Sequence, residues 1–156
     1  MATSLGELSA SPAVSVILPV LNEEAHLEDS ILAILSQDYQ GSFEVILALG
    51  PSRDRTNEIA NALVARDARV KLVANPTGKT AAGLNLAVAA SQNPVIVRVD
   101  GHAEIPKNYL TLAVEILRET GAVNVGGVMA AEGITKFEKA VARAMRSPLG
   151  VGASRF

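Results

Sequence analysis

The sequence predicts an α/β fold, a mainly parallel sheet with helices on both faces, and three observations carry that prediction. Short runs of Val, Ile and Leu alternate along the chain with longer segments whose apolar residues recur every three or four positions. The strand-like runs are short and continuously apolar, the pattern of strands buried on both faces. Apolar residues make up 49% of the 156 residues while Phe, Trp and Tyr supply 3%, so the core is aliphatic, as suits a sheet held between helices. The length allows one domain with a sizeable core and is short for two.

Residues 1–12 lack a periodic pattern and read as a mobile tail, leaving 13–156 as the domain. Val14–Leu18 reads as the first strand, stopped by Pro19. Asn22 is placed to N-cap a helix opening with Glu23 and Glu24, acids suited to the positive end of the helix dipole. Leu27, Ile31, Ile34 and Leu35 then share one face of that helix. Phe43–Leu49 is the second strand, closed by Gly50 and Pro51, and a helix from about Thr56 carries Ile59, Ala60, Leu63 and Val64 on one side. Val70–Ala74 and Val95–Val99 are further strands, separated by an Ala-rich helix from Thr80 to Ala90. Pro106 is expected to begin a helix with Leu110, Ala113, Val114 and Leu117 on its buried face. A strand at Val123–Val128 and a helix from Lys136 to Arg146 complete the pattern. Strand and helix alternating in this way call for right-handed crossovers. Residues 147–156 are Gly-rich and read as the middle of a loop, so the chain is expected to be cut short.

Fourteen basic against sixteen acidic residues, with no long run of either sign, argue against nucleic acid as a partner. The chain has no cysteine, which removes disulfides, thiolate metal sites and cysteine nucleophiles and fits a cytoplasmic protein. The first residues lack the basic and apolar regions of a secretory leader, and no apolar run approaches the roughly 18 residues of a membrane span.

Three nucleotide-site and catalytic motifs are tested and fail. Pro19-Val-Leu-Asn22 stands where a dinucleotide fold puts its glycines. Gly78-Lys79-Thr80 resembles the end of a P-loop, but the leading glycine position is Val73, inside a strand, so no anion nest forms. No G-x-S-x-G elbow is present. What remains is Asp100-Gly101-His102, at the C-terminal end of a buried strand, where open α/β sheets bind ligands. A carboxylate and an imidazole one residue apart can reach one divalent cation, Mn²⁺ or, less well, Mg²⁺, and phosphate oxygens would complete its shell. Equally, Asp100 can cap a turn with His102 in solvent.

Taken in order, Pro19-Val-Leu-Asn22-Glu23-Glu24, Asn75-Pro-x-Gly78-Lys79, Gly83-Leu-Asn85 and Asp100-x-His102 resemble the nucleotide-sugar half of an inverting family 2 glycosyltransferase. Val125-Gly-Gly127 and Ser147-Pro-Leu-Gly-Val-Gly152 are similar to the bacterial exopolysaccharide branch of succinoglycan type. The resemblance runs from about Val14 to the last residue. It implies a GT-A fold, a Rossmann-like nucleotide-sugar-binding domain, with Pro19, Asn22, Glu23, Lys79 and Asp100 at the nucleotide sugar. It also implies Mn²⁺ or Mg²⁺ on Asp100 and His102, which stand at the family's D-x-D. Its partners would be a nucleoside-diphosphate sugar and a glycan or lipid-linked acceptor, with membrane association only through segments the chain lacks. Read without the resemblance, Asn22 and Glu23 are a helix cap and first-turn acid, and Lys79 a solvated lysine at a helix start. Asn85 packs within its helix, and His26, Arg53 and Arg55 are surface residues.

The sequence departs from the family twice. Leu49-Gly50-Pro51-Ser52-Arg53-Asp54 replaces the usual D-D-G-S-x-D, whose first acid bonds the base, so the donor nucleotide is open. The family's general base lies beyond this chain's end, and neither Glu104 nor Glu132 matches its position, so the catalytic residue is unknown. The chain is therefore expected to be a metal-dependent inverting glycosyltransferase domain. The other readings are a truncated or degenerate module that binds without catalysing, and more weakly a P-loop-like phosphate binder.

Overall fold

The structure, a computed structural model, describes residues 8–126 and, beyond them, residues 136, 137, 139, 140 and 143. The chain divides into two compact units, Met1–Ala122 and Val123–Phe156. In the first, four strands, β1 (Val14–Val20), β2 (Phe43–Leu49), β3 (Val70–Ala74) and β4 (Val95–Arg98), alternate with four helices, α1 (Leu27–Leu35), α2 (Thr56–Arg66), α3 (Thr80–Ala90) and α4 (Tyr109–Thr120). The strands form one parallel sheet in the order β3-β2-β1-β4, with Val16 opposite Val45 and Val97 and Leu47 opposite Leu72.

Both faces are covered, as the apolar strands required. Val14, Val16, Leu18 and Val20 point to the side where Leu27, Ile31 and Ile34 of α1, Ala60 and Leu63 of α2, and Leu110 and Val114 of α4 pack. Ile17, Ile46 and Ala48 point to the other, against Ala87 of α3. The first side carries the larger core, and on the second Ile96 stays exposed. The predicted spans of β2, β3 and α3 match those observed, and α2 starts at Thr56 as expected.

Four expectations need correction. Pro19 does not stop β1, which runs on to Val20. Ile17 accepts a hydrogen bond from Val99 N–H, so Pro19, two residues on, faces the same side, past the last residue of β4, and its missing N–H breaks no β1–β2 bond. Asn22 caps no helix. Its φ is +55° and α1 begins five residues later, at Leu27. Pro106 precedes α4 in a turn in which Tyr109 N–H bonds the Pro106 carbonyl. Of the expected strand Val123–Val128, residues 123–126 are not in a strand and the rest lie outside the described residues. The described residues of the helix expected from Lys136 are helical. Of the expected tail, residues 1–7 are not described, while Leu8 packs on the core and the Pro12 carbonyl accepts the Tyr39 hydroxyl.

Candidate functional site

In this sheet the chain runs outward from β1 in both directions, to β2 and β3 on one side and to β4 on the other. The loops after β1 and β4 both lead to helices on the same face, α1 and α4, and lie side by side at the C-terminal ends of their strands, outside which open α/β sheets take ligands. The loop after β1 carries Asn22 and Glu23, and the turn after β4 is Asp100-Gly101-His102. The two meet there. Glu23 Oε1 lies 3.2 Å from His102 Nδ1.

Each loop is built by its own residues. Asn22, in the left-handed region, gives its N–H to Ser52 Oγ at 3.0 Å and takes the Arg53 N–H on Oδ1 at 2.8 Å. Glu23 N–H donates to Thr56 Oγ1 at 2.8 Å, and Glu24 N–H to Asp54 at 3.2 Å. In return the Glu24 carboxylate accepts the Arg55 N–H. The Asn-Glu-Glu run is thus laced to Ser52 and Asp54, in the loop that follows β2, and to Thr56, the first residue of α2. The Thr56 hydroxyl and the N–H groups of Thr56 and Glu24 hold the Asp54 carboxyl below the usual carboxylate range.

The turn after β3 is a second such unit. Asn75 is buried, donates its amide to the Lys79 carbonyl and accepts the Thr77 hydroxyl. Gly78 has φ +63°, which brings Lys79 round to the N-cap position of α3. Lys79 itself is exposed, as is Asn85, and among the described residues Lys79 forms no ion pair. Gly50 and Gly78 come close together against Leu21, which packs the three loops after β1, β2 and β3 into one surface. Beside it lies a cavity of about 380 Å³ walled by Leu49, Gly50, Pro51, Leu72 and Asn75. Asn57 borders it, with its Oδ1 buried and, among the described residues, without a hydrogen-bond donor. Val73 sits inside β3 opposite Ala48, which removes the P-loop reading on geometry.

Asp100 is half-exposed, and its Oδ1 accepts from Arg98 Nε at 3.0 Å, with Arg98 Nη2 paired to the same oxygen at 3.0 Å. Among the described residues its Oδ2 has no partner, and neither has His102 Nε2. Those two atoms, a hard oxygen and an imidazole nitrogen on one turn, fit a divalent cation that draws its other ligands from water and phosphate. No group of three or more acidic, histidine or cysteine side chains suited to a metal occurs among the described residues, so the protein would supply two ligands. A second cavity, about 400 Å³, opens between Arg98, Asp100, Ile105 and Tyr109.

Two residues at this site escaped the reading of the sequence. Ser30 sends its hydroxyl to the Gly101 carbonyl at 2.9 Å, so α1 supports the turn from below. A serine within the apolar stripe of Leu27, Ile31 and Ile34 was the available signal. Arg98 was the other, a charge in a run otherwise apolar.

Residues 15–152 match the family described as Glycosyl transferase family 2. The chain belongs to that family. It is 34% identical over 154 residues to the succinoglycan biosynthesis protein ExoA of Rhizobium meliloti, covering 97% of this chain and 46% of ExoA. It spans about half the length of that relative. Among solved structures, Staphylococcus aureus TarS superposes with a TM-score of 0.63 at 23% identity, over 76% of this chain and 23% of TarS. The mannosyltransferase PcManGT of Pyrobaculum calidifontis, in complex with GDP-Man and Mn²⁺, superposes with a TM-score of 0.62 at 27% identity, over 71% of this chain and 35% of that one. The GT-A fold and the likeness to the exopolysaccharide branch of this family are therefore established. Of the motif pair Val125–Gly127 and Ser147–Gly152, all but Val125 and Gly126 lie outside the described residues. Among the described residues no helix is long and apolar enough to cross a membrane.

Proposed function

We propose that this family 2 domain binds the nucleoside-diphosphate sugar in a metal-dependent, inverting glycosyl transfer to a polysaccharide or lipid-linked acceptor. The observation that carries the reading is the Asp100-Gly101-His102 turn at the C-terminal end of β4, with Asp100 Oδ2 and His102 Nε2 without partners among the described residues. PcManGT, with GDP-Man and Mn²⁺ in a similar fold, supports it. Asp100 and His102 would hold Mn²⁺ or Mg²⁺, and the cation supplies charge neutralisation on the departing diphosphate. Lys79, at the start of α3 and without an ion pair among the described residues, offers a second positive charge to the same anion, and the α3 N-terminus a third. The end of β1 at Pro19 and the loop carrying Asn22 and Glu23 shape the nucleotide side, and the 380 Å³ cavity beside Gly50 is assigned to the base. Leu49 and Gly50 give that cavity no carboxylate, so the base is read by other groups. Placement in the cytoplasm belongs to the same reading.

The second reading, binding without transfer, is favoured by one observation: Glu104, the first acid after the turn, is exposed and does not stand at the family's base position. Calorimetric titration of UDP, GDP and dTDP, each with Mn²⁺ and with EDTA, tests the shared part. One nucleotide is expected to bind only with Mn²⁺, and to lose that binding in Asp100→Asn and in His102→Ala. Binding that ignores EDTA and both substitutions overturns the metal site. Transfer of labelled sugar to water or glycan then separates the two readings.

A further inference from the structure

The family's D-x-D ends in a carboxylate, which has no tautomer to choose. This chain ends the motif in an imidazole, which does. A neutral histidine ligates through whichever nitrogen is bare, and that is decided by the hydrogen bond the other nitrogen makes. His102 has one such partner, Glu23 Oε1 at 3.2 Å from Nδ1.

An exposed histidine beside a glutamate is by itself weak, since such pairs contribute little in solvent. Here the two partners differ. The His102 side chain is 64% exposed, but that of Glu23 is only 19%. Glu23 is held at its backbone by the buried Thr56 hydroxyl, at 2.8 Å. Its side chain lies flat against Gly101, where an added Cβ would stand 3.1 Å from Glu23 Cγ and 3.3 Å from Cδ. Gly101 is itself fixed, its carbonyl taking the Ser30 hydroxyl. Glutamate, glycine and histidine form one packed unit, with the carboxylate as its rigid member.

We propose that Glu23 is a positioning residue: it accepts the Nδ1 hydrogen of His102 and so leaves Nε2 as the bare nitrogen that meets the cation. The neighbouring pair Arg98–Asp100 leaves this arrangement untouched, because Arg98 is spent on Asp100 Oδ1. The inference rests on the metal reading above for its ligand, while its tautomer is measurable with no metal present. It also gives the glycine of the motif a reason: a side chain at 101 would displace Glu23 from His102.

The test uses the full chain with ¹⁵N-labelled histidine, metal-free, at a pH where the imidazoles are neutral. His26, the other histidine, serves as the internal reference. Two-bond ¹H–¹⁵N spectra are expected to show His102 protonated at Nδ1. Glu23→Ala should move it toward the Nε2–H form that a free imidazole favours, and Glu23→Gln, whose amide oxygen can still accept, should restore the original form. Mn²⁺ affinity read by electron paramagnetic resonance should fall about tenfold in Glu23→Ala, the low end for such outer partners. It should fall less in Glu23→Gln, and Gly101→Ala should mimic Glu23→Ala. A His102 already protonated at Nε2 in the unsubstituted chain overturns the proposal. So does Mn²⁺ binding that needs His102 but is indifferent to Glu23→Ala. If Mn²⁺ binds His102→Ala as tightly as the original, the metal reading itself fails, and the positioning role with it.

Discussion

Gly83 shows how a single missing side chain can hold a site together. It sits in the first half of α3, where glycine weakens a helix by about 1 kcal/mol relative to alanine. A Cβ there would stand 2.8 Å from Asn75 Nδ2 and 3.3 Å from the Ala48 Cβ. Asn75 cannot yield cheaply, because it is buried and its amide bonds Lys79 and Thr77. Overpacking costs about 1–3 kcal/mol and a lost buried hydrogen bond about 1 more, which exceeds the helix gain. Gly83→Ala should therefore destabilise the protein by about 1–3 kcal/mol in urea denaturation, and loosen the turn that presents Lys79. Unchanged or higher stability would show that Asn75 moves freely. In the sequence Gly83 stood only as part of a motif, since its neighbour Asn75 is eight residues away across a turn.

Among the elements, the joint between α2 and β3 is held by a cluster of bonds from two side chains. Asp67 ends α2 and takes Arg69 N–H, Nε and Nη2 on its carboxylate, at 2.9, 3.1 and 2.7 Å. Arg69 also reaches the Leu35 carbonyl at the end of α1 and lies over the Phe43 ring at the start of β2. The hydrogen bonds from Arg69 pull the Asp67 pKa from 3.8 down to about 2. A carboxylate depressed in the folded state adds stability above its unfolded pKa and loses it as pH falls through the folded one. Urea midpoints should thus drop between pH about 4 and about 2, and Asp67→Asn should flatten that part of the curve. An identical acid limb in the variant would remove Asp67 from the account. Glu44, at the opposite end of the sheet from the site, adds to the same acid limb. Burial pushes its carboxyl up, but Lys71, Ser15 and the Gln92 N–H outweigh that and hold it low. That cluster also ties the loop before β4 to β2, through Asn93. β4 owes its position to it as well as to the pairing with β1.

Across the whole molecule, the sheet order sets where chemistry is possible, because it makes β4 the neighbour of β1 and so brings the loops that follow them together at their C-terminal ends. A ligand that binds there and not to the unfolded chain stabilises the fold by mass action. At a hundred times its dissociation constant the gain is about 2.7 kcal/mol, some 5–10 °C for a chain of this size. The nucleotide that binds should raise the melting temperature by about that amount with Mn²⁺ and not with EDTA. An equal rise in EDTA would place the nucleotide elsewhere. By itself the sequence determined the strands, the helices and their parallel arrangement, because apolar period and β-branched runs act within a window of a few residues. It also determined, through ordered motifs, the family and the residues at the ends of the strands. Only the tertiary structure decided that Pro19 lies within β1, that Asn22 laces two loops instead of capping α1, and that Ser30 and Glu23 fix the turn at Asp100. The partners in those contacts lie 30 to 79 residues apart. No local pattern encodes them; they exist once the sheet has brought its strand ends to one edge.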